Sequence, residues 1–201
     1  MSRRPGVRLV LLALCAALAA GCTTTVEIRG PIPPAVVPPE RLPFKVAVVF
    51  PEPMEYFGES VRLGRVLQVL ETRYFDYGDV LWDALFRSVL AAYKDVTHPE
   101  GALRPGHYDR VIKFFVQIQE GNGKRRFVES AGDRFAIAVT MEALDGASLE
   151  PVQRTALRRD VIYNGDPDGF GPTIEKTIQQ LANDVAKLLA EGFAERGPGP
   201  P

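Results

Sequence analysis

Cysteine, histidine and net charge are all scarce in this sequence, and each scarcity removes a class of protein. Two cysteines, Cys15 and Cys22, occur in 201 residues. Cys15 lies inside an N-terminal apolar run, so the rest of the chain holds one thiol and no disulfide framework can form. The two histidines, His98 and His107, flank a Pro/Gly-rich connection with no third ligand spaced near them, so neither metal nor cofactor is expected. A net charge of −1 offers no electrostatic footprint for nucleic acid, and none is expected as a partner. Long apolar runs are missing too. The longest, Leu9 to Ala20, is twelve residues, whereas a helix needs about 20 to cross a hydrocarbon core about 30 Å thick. There is no GxSxG, no HExxH and no phosphate-cradling glycine loop, so a catalytic role is not expected.

What the N-terminus does have is an address. Arg3, Arg4 and Arg8 precede the apolar run, which suits the basic flank and hydrophobic region of a secretory signal. Leu18-Ala19-Ala20-Gly21-Cys22 resembles the lipobox of bacterial lipoproteins. The resemblance implies removal of residues 1–21 and a lipid on Cys22, which anchors the chain to a membrane. Thr23 after the cysteine resembles lipoproteins sent on to the outer membrane, facing the periplasm, with retention in the inner membrane as the alternative. Ala17 and Ala19 also satisfy an ordinary small-residue cleavage site. Cleavage before Cys22 removes three arginines and no acid, and leaves a net charge of −4.

Residues 22–43 read as a Thr/Pro-rich tether. Six prolines fall between Gly30 and Phe44, and proline fixes φ and lacks an N–H, so the segment is neither helix nor central strand. Its expected form is extended, at about 3 Å per residue, holding a domain about 40 Å off the bilayer. The chain's last residues, 194–201, read as a frayed tail.

Between them, residues 44–193 suit one domain. Lys45–Phe50 is a short β-branched run that reads as a buried strand. Residues 51–60 read as loop, and 61–75 fit neither period, suggesting an extended segment that gives way to irregular structure. Gly78 to Asp95 carries a broad apolar helical stripe through Leu81, Leu85, Val89 and Ala92. Tyr108–Glu120, Arg134–Leu144 and Gln153–Asn164 alternate as strands, the first two joined by "EGNGKRR" with Asn-Gly at its centre. Pro172 suits the first turn of a final helix with a seam through Ile174, Ile178, Leu181, Val185 and Leu188. The expected class is α+β: a mostly antiparallel sheet with two helices packed on one face, in the order strand, helix, three-strand meander, helix.

Three further features invite a functional reading. Lys124, Arg125, Arg126, Arg154, Arg158 and Arg159 are candidates for a basic patch meeting phosphorylated glycolipid or an acidic partner; an ordinary solvated strand face interspersed with Glu129, Glu142 and Asp160 is the simpler reading. "DPDGFG" at 166–171 has calcium-loop carboxylates but not the EF-hand spacing. Tyr56, Phe57 and Phe170 are loop aromatics, either partner anchors or caps over the core edge.

With "YGDVLWDALFRSVLAAYKDV" followed by "YDRVIKFFVQIQ", residues 44–192 resemble the accessory lipoproteins of Gram-negative envelope machines. These include auxiliary lipoproteins of ABC-type transport systems, the lipopolysaccharide-assembly lipoprotein and activators of peptidoglycan synthases. The likeness is one of architecture and carries over no residue but Cys22. It implies a non-enzymatic, membrane-anchored accessory or scaffold subunit of a larger envelope transport or assembly complex. The alternatives are a carrier for lipid or glycolipid, which needs a groove lined by the helix stripes, and an envelope-polymer hydrolase, which needs an acid/base pair where only scattered carboxylates such as Glu142 and Asp160 stand out.

Overall fold

The structure, a computed structural model, describes residues 23–52, 57–66, 69–119, 125–128 and 132–193, with side chains described at all of these except 62–66, 69–71 and 125–128. The signal segment, Cys22 and the C-terminal tail lie outside the described residues.

Nine strands and two helices are described, in the order β1 (Thr23–Glu27), β2 (Leu42–Val49), β3 (Gly58–Val66), β4 (Val69–Asp76), α1 (Gly78–Ala92), β5 (Tyr93–Thr97), β6 (Arg110–Gln119), β7 (Arg125–Val128), β8 (Arg134–Asp145), β9 (Pro151–Ile162) and α2 (Pro167–Ala190). The class is α+β. A five-stranded sheet runs β5-β2-β6-β8-β9 and a four-stranded sheet runs β1-β4-β3-β7. The meander β6-β8-β9 is antiparallel, as its alternating pattern predicts, and β2 pairs parallel with both β5 and β6.

The alternation decides which sheet face is covered. Ile112, Phe114 and Val116 on β6 and Phe135, Ile137, Val139 and Met141 on β8 point into one apolar core with Leu81, Leu85 and Val89 of α1 and Ile174, Ile178, Leu181 and Val185 of α2. All the helix residues in that set are fully buried. Each such side chain contributes about 1.5–3 kcal/mol over leaving it in water, so the paired stripes hold both helices on this face. Ser88 lies where the helices touch, its Oγ 2.8 Å from the Ala84 carbonyl and 2.9 Å from that of Ala182. The four-stranded sheet joins the same core through Val61 and Phe75, with Phe75 edge-on to Phe170 at 5.2 Å, and Tyr77 at the start of α1 joins it beside them.

Several expectations need correcting. The helix expected to reach Asp95 ends at Ala92, because Tyr93 turns extended (φ −122°, ψ 152°) and starts β5 beside β2. Residues 58–60, expected as loop, open β3, and 61–75, expected as an extended segment giving way to irregular structure, are strand at 61–66 and 69–75; a register shift between Arg62 and Gly64 displaces the alternation by one residue, so neither period fits across it. "EGNGKRR" is not a simple hairpin connection, since Arg125–Val128 leaves the meander to pair parallel with β3; Asn122 and Gly123 lie outside the described residues. The final helix starts at Pro167, not Pro172. Asp166 caps it, accepting from the Asp168 N–H at 3.0 Å, and Pro172 sits inside it. Pro167 takes the first-turn position that proline favours, and the aspartate before it supplies the cap.

The largest correction concerns the tether. Thr23–Glu27 pairs in register with Thr72–Asp76 of β4, and the Ile28 N–H donates to the Asp76 carbonyl at 3.0 Å. Ile28 and Ile32 are buried. Gln179 Nε2 donates to the Pro33 carbonyl at 2.6 Å, and the Ala35 N–H donates to Asn183 Oδ1 at 2.7 Å. The prolines do exclude helix, as expected. They do not keep the segment free, because the isoleucines between them are drawn into the core and two α2 side chains satisfy the backbone. From Thr23 to Ala35 the segment is docked.

Candidate functional site

Two surfaces could carry a function for such a chain: the edge where it would leave a membrane anchor, and the sheet face that the helices leave open.

At the first, one peptide bond separates Cys22 from Thr23, the first residue of β1. The docked segment borders a groove of about 430 Å³ between Arg29, Ile32 and Pro33 on one side and Glu175, Lys176 and Gln179 on the other. A smaller pocket of about 220 Å³ holds Glu27, Asp76 and Asp79 at the N-terminus of α1. The helix explains these acids. Asp76 Oδ1 accepts from the Gly78 N–H at 3.4 Å and Asp79 lies in the first turn, where negative charge is favoured.

The second surface is the back of the five-stranded sheet. Its residues form rows across β6, β8 and β9: Lys113, Glu142 and Arg154; then Phe115, Thr140 and Ala156; then Gln117, Ala138 and Arg158; then Gln119, Ala136 and Asp160. The small residues on β8 let longer neighbours reach over it, and Arg158 Nη1 donates to Gln119 Oε1 at 2.9 Å while its other nitrogens face Asp160. Among the described residues no helix packs on this face. A second, small apolar cluster of Ala47, Val111 and Leu144 lies there under Leu103 and Tyr108 of the 98–109 connection. Gly146 fixes that connection: its N–H donates to the Asp109 carbonyl, its carbonyl accepts from Gly106, and a Cβ there would sit 1.7 Å from the Tyr108 oxygen. Beside it, Asp145 accepts backbone N–H bonds from Ser148 and Ala147, which hold its carboxyl below the usual range.

The predicted basic patch is not assembled as expected. Arg154 and Arg158 share the open face, but each is matched to an acid, Arg154 across from Glu142 in register and Arg158 beside Asp160. Arg159 is on the helix side, bound to Asp184 of α2 through Nε at 2.9 Å and Nη2 at 2.5 Å. Arg125 and Arg126 belong to β7 in the other sheet, and Lys124 lies outside the described residues. Residue counting cannot see this, since one step along a strand reverses the face.

The remaining candidates resolve structurally. His98 Nδ1 lies 2.9 Å from the Val48 carbonyl and its ring contacts Trp82 and Phe50. His107 meets Tyr108 edge-on at 4.8 Å. Among the described residues no cluster of His, Cys, Asp and Glu could hold a metal ion. "DPDGFG" is the cap and first turn of α2, and Asp168 pairs with Arg73. Phe57 and Phe170 are core residues, 2% and 1% exposed, which leaves them no part in anchoring a partner; Tyr56 lies outside the described residues.

Sequence reasoning missed a buried carboxylate. Glu59 is fully buried on β3, its Oε1 3.4 Å from the Tyr77 hydroxyl, at the register position of Arg126 on β7. Burial first, and the Glu59 charge second, push the Tyr77 hydroxyl well above the usual phenol range. Its signal was lost with the unread strand.

No family model matches the chain, and no curated protein does. Among solved structures the fold is similar to that of a Xanthomonas campestris protein of the DUF330 family, at 14% identity and a TM-score of 0.53, over 84% of this chain and 96% of that one. Looser likenesses are to a minor lipoprotein from Acinetobacter baumannii (10% identity, TM-score 0.39, 76% and 95% of the two chains) and to the uncharacterised lipoprotein B of Nitrosomonas europaea (12%, 0.38, 77% and 88%). At 14% identity the Xanthomonas likeness shows the fold alone.

Proposed function

We propose that this chain is a bacterial lipoprotein, anchored through Cys22 in the outer membrane and facing the periplasm, that serves as a non-enzymatic accessory subunit of an envelope transport or assembly complex. The observation that carries this reading is the passage from Cys22 into β1 with a single peptide bond between the lipobox and a paired strand. Acyl chains on Cys22 would hold the folded domain against the bilayer, with no free tether between them. The polar open face of the five-stranded sheet, with its rows of matched charge, would then remain for a larger protein partner. The carrier reading loses support because, among the described residues, the helix stripes are buried against the sheet in one core.

The test is the intact mass of the chain purified from membranes, with Cys22→Ala in parallel. A mass increased by diacylglycerol and an N-terminal acyl group, with outer-membrane fractionation lost in the variant, is the expected result. An unmodified mature chain would overturn the anchor, and a lipidated chain that fractionates with the inner membrane would overturn the placement.

A further inference from the structure

The five-stranded sheet ends on a long strand. β9 is twelve residues, Pro151–Ile162, and stands last in the order β5-β2-β6-β8-β9. Among the described residues no backbone group bonds to its outer side. Its side chains are open to solvent as well: Arg154, Ala156, Arg158, Arg159, Asp160 and Ile162 are all exposed. An edge of this kind is a template for a further strand, and the usual defences are a bulge, a proline or charge. In β9 the proline and the register irregularity both lie at its start, which leaves Gln153 to Val161 in unbroken register with β8. The charges remain, and they decide which strand fits.

Arg154 and Asp160 lie on the same, open face of β9. An antiparallel copy of the strand, turned about a two-fold axis at Leu157, brings Arg154 of each copy opposite Asp160 of the other. The same turn sets Ala156 opposite Arg158, Thr155 opposite Arg159 and the half-buried Leu157 opposite itself. The axis is normal to the sheet, so every residue keeps its face. The neighbouring settings fail on charge: an axis at Ala156 puts Arg154 against Arg158, and an axis at Arg158 puts that arginine against itself. Like charges directly opposite are destabilising, and opposite charges stabilise. Both members of the favoured pair can take a further partner. Arg154 stands in register with Glu142 yet closes no ion pair among the described residues. Asp160 meets Arg158 at 3.3 and 3.4 Å through Oδ1 alone, which leaves Oδ2 as an acceptor. We infer that the β9 edge is a homodimer interface, in which two copies of the chain pair antiparallel about Leu157 and join their five-stranded sheets into one. Both open faces then point the same way, and a larger partner meets one surface built from two copies. The pairing does not depend on lipidation of Cys22.

The test uses residues 22–201 with Cys22→Ala, which contain the whole described fold and no cysteine. Sedimentation over a concentration series should show a dimer. Asp160→Arg sets arginine against arginine and should weaken that dimer about tenfold or more, while Arg154→Asp combined with Asp160→Arg should restore it, with an unchanged circular dichroism signal in each. Leu157→Cys, placed in the same chain, should be joined to its copy by a short thiol cross-linker, and Ala147→Cys, exposed on the β8–β9 turn, should not. A chain that stays monomeric at every concentration overturns the interface. So does a dimer that Asp160→Arg leaves as tight as before, a weakening that the double exchange leaves in place, or a dimer in which the Leu157→Cys chain is not joined. Because no lipid is present, none of these results bears on the anchor, whose failure is read separately from the intact mass.

Discussion

At the residue scale, the Glu59–Tyr77 pair ties the four-stranded sheet to the start of α1, and it makes a pH-dependent contribution with a definite sign. The Tyr77 hydroxyl titrates well above its ordinary value because burial and then the Glu59 charge disfavour the phenolate. In the unfolded chain a tyrosine ionises near about pH 10. The stabilising contribution is therefore fully present below that value and is lost as pH rises through the folded one. Urea unfolding at about pH 8 and about pH 11 checks this: the stability lost between them should be smaller in Tyr77→Phe than in the parent chain. An equal loss in both would mean that the phenol ionises as it does in the unfolded chain. The arginines show the opposite case. The Arg159–Asp184 pair is 44% and 27% exposed at its two side chains, and partly exposed ion pairs contribute about 0–1 kcal/mol, so what those residues reveal is strand facing and not a binding patch.

At the element scale, the docked segment is the part of the molecule most at odds with its composition. Proline content correctly excludes helix, yet whether such a segment stays free depends on what the few apolar residues between the prolines can reach. Here that is a core seam beside α2, where Gln179 and Asn183 meet the backbone of Pro33 and Ala35. Each such hydrogen bond contributes about 1 kcal/mol. Gln179→Ala combined with Asn183→Ala should loosen residues 33–41 while α2 stays folded, read as faster proteolysis near Val37 with an unchanged helical circular dichroism signal. Unchanged proteolysis would mean that the buried Ile28 and Ile32 hold the segment alone. The same reasoning accounts for what the sequence discloses. The α1 and α2 stripes and the β6, β8 and β9 alternation are long, regular and single-faced, and they are legible. β3 and β4 are not, because a register shift breaks the alternation in mid-strand. β1 and β5 are missed because five residues each are too few for a period to declare itself.

At the scale of the whole molecule, chain order and sheet order together place the functional ends. β1, which follows the candidate anchor in sequence, and the docked segment belong to the four-stranded sheet and its border with the helices. The open face, with Lys113, Glu142 and Arg154 in one row and Phe115, Thr140 and Ala156 in the next, belongs to the five-stranded sheet. Of the candidate site, only Cys22 was legible as a motif. A docking face is a property of which side of a sheet the helices cover, and that is decided by contacts between residues far apart in the chain. Under the proposed function, the anchored end would lead into one sheet and the open face of the other would meet the partner. The most direct measurement is cross-linking in intact cells from a photoreactive residue placed at Ala156, on the open face, followed by mass spectrometry, with Cys22→Ala in parallel. Recovery of one defined envelope complex, lost when the anchor is removed, is the predicted result. Lipid adducts in place of protein, or a protein adduct that persists unchanged without Cys22, would contradict the account.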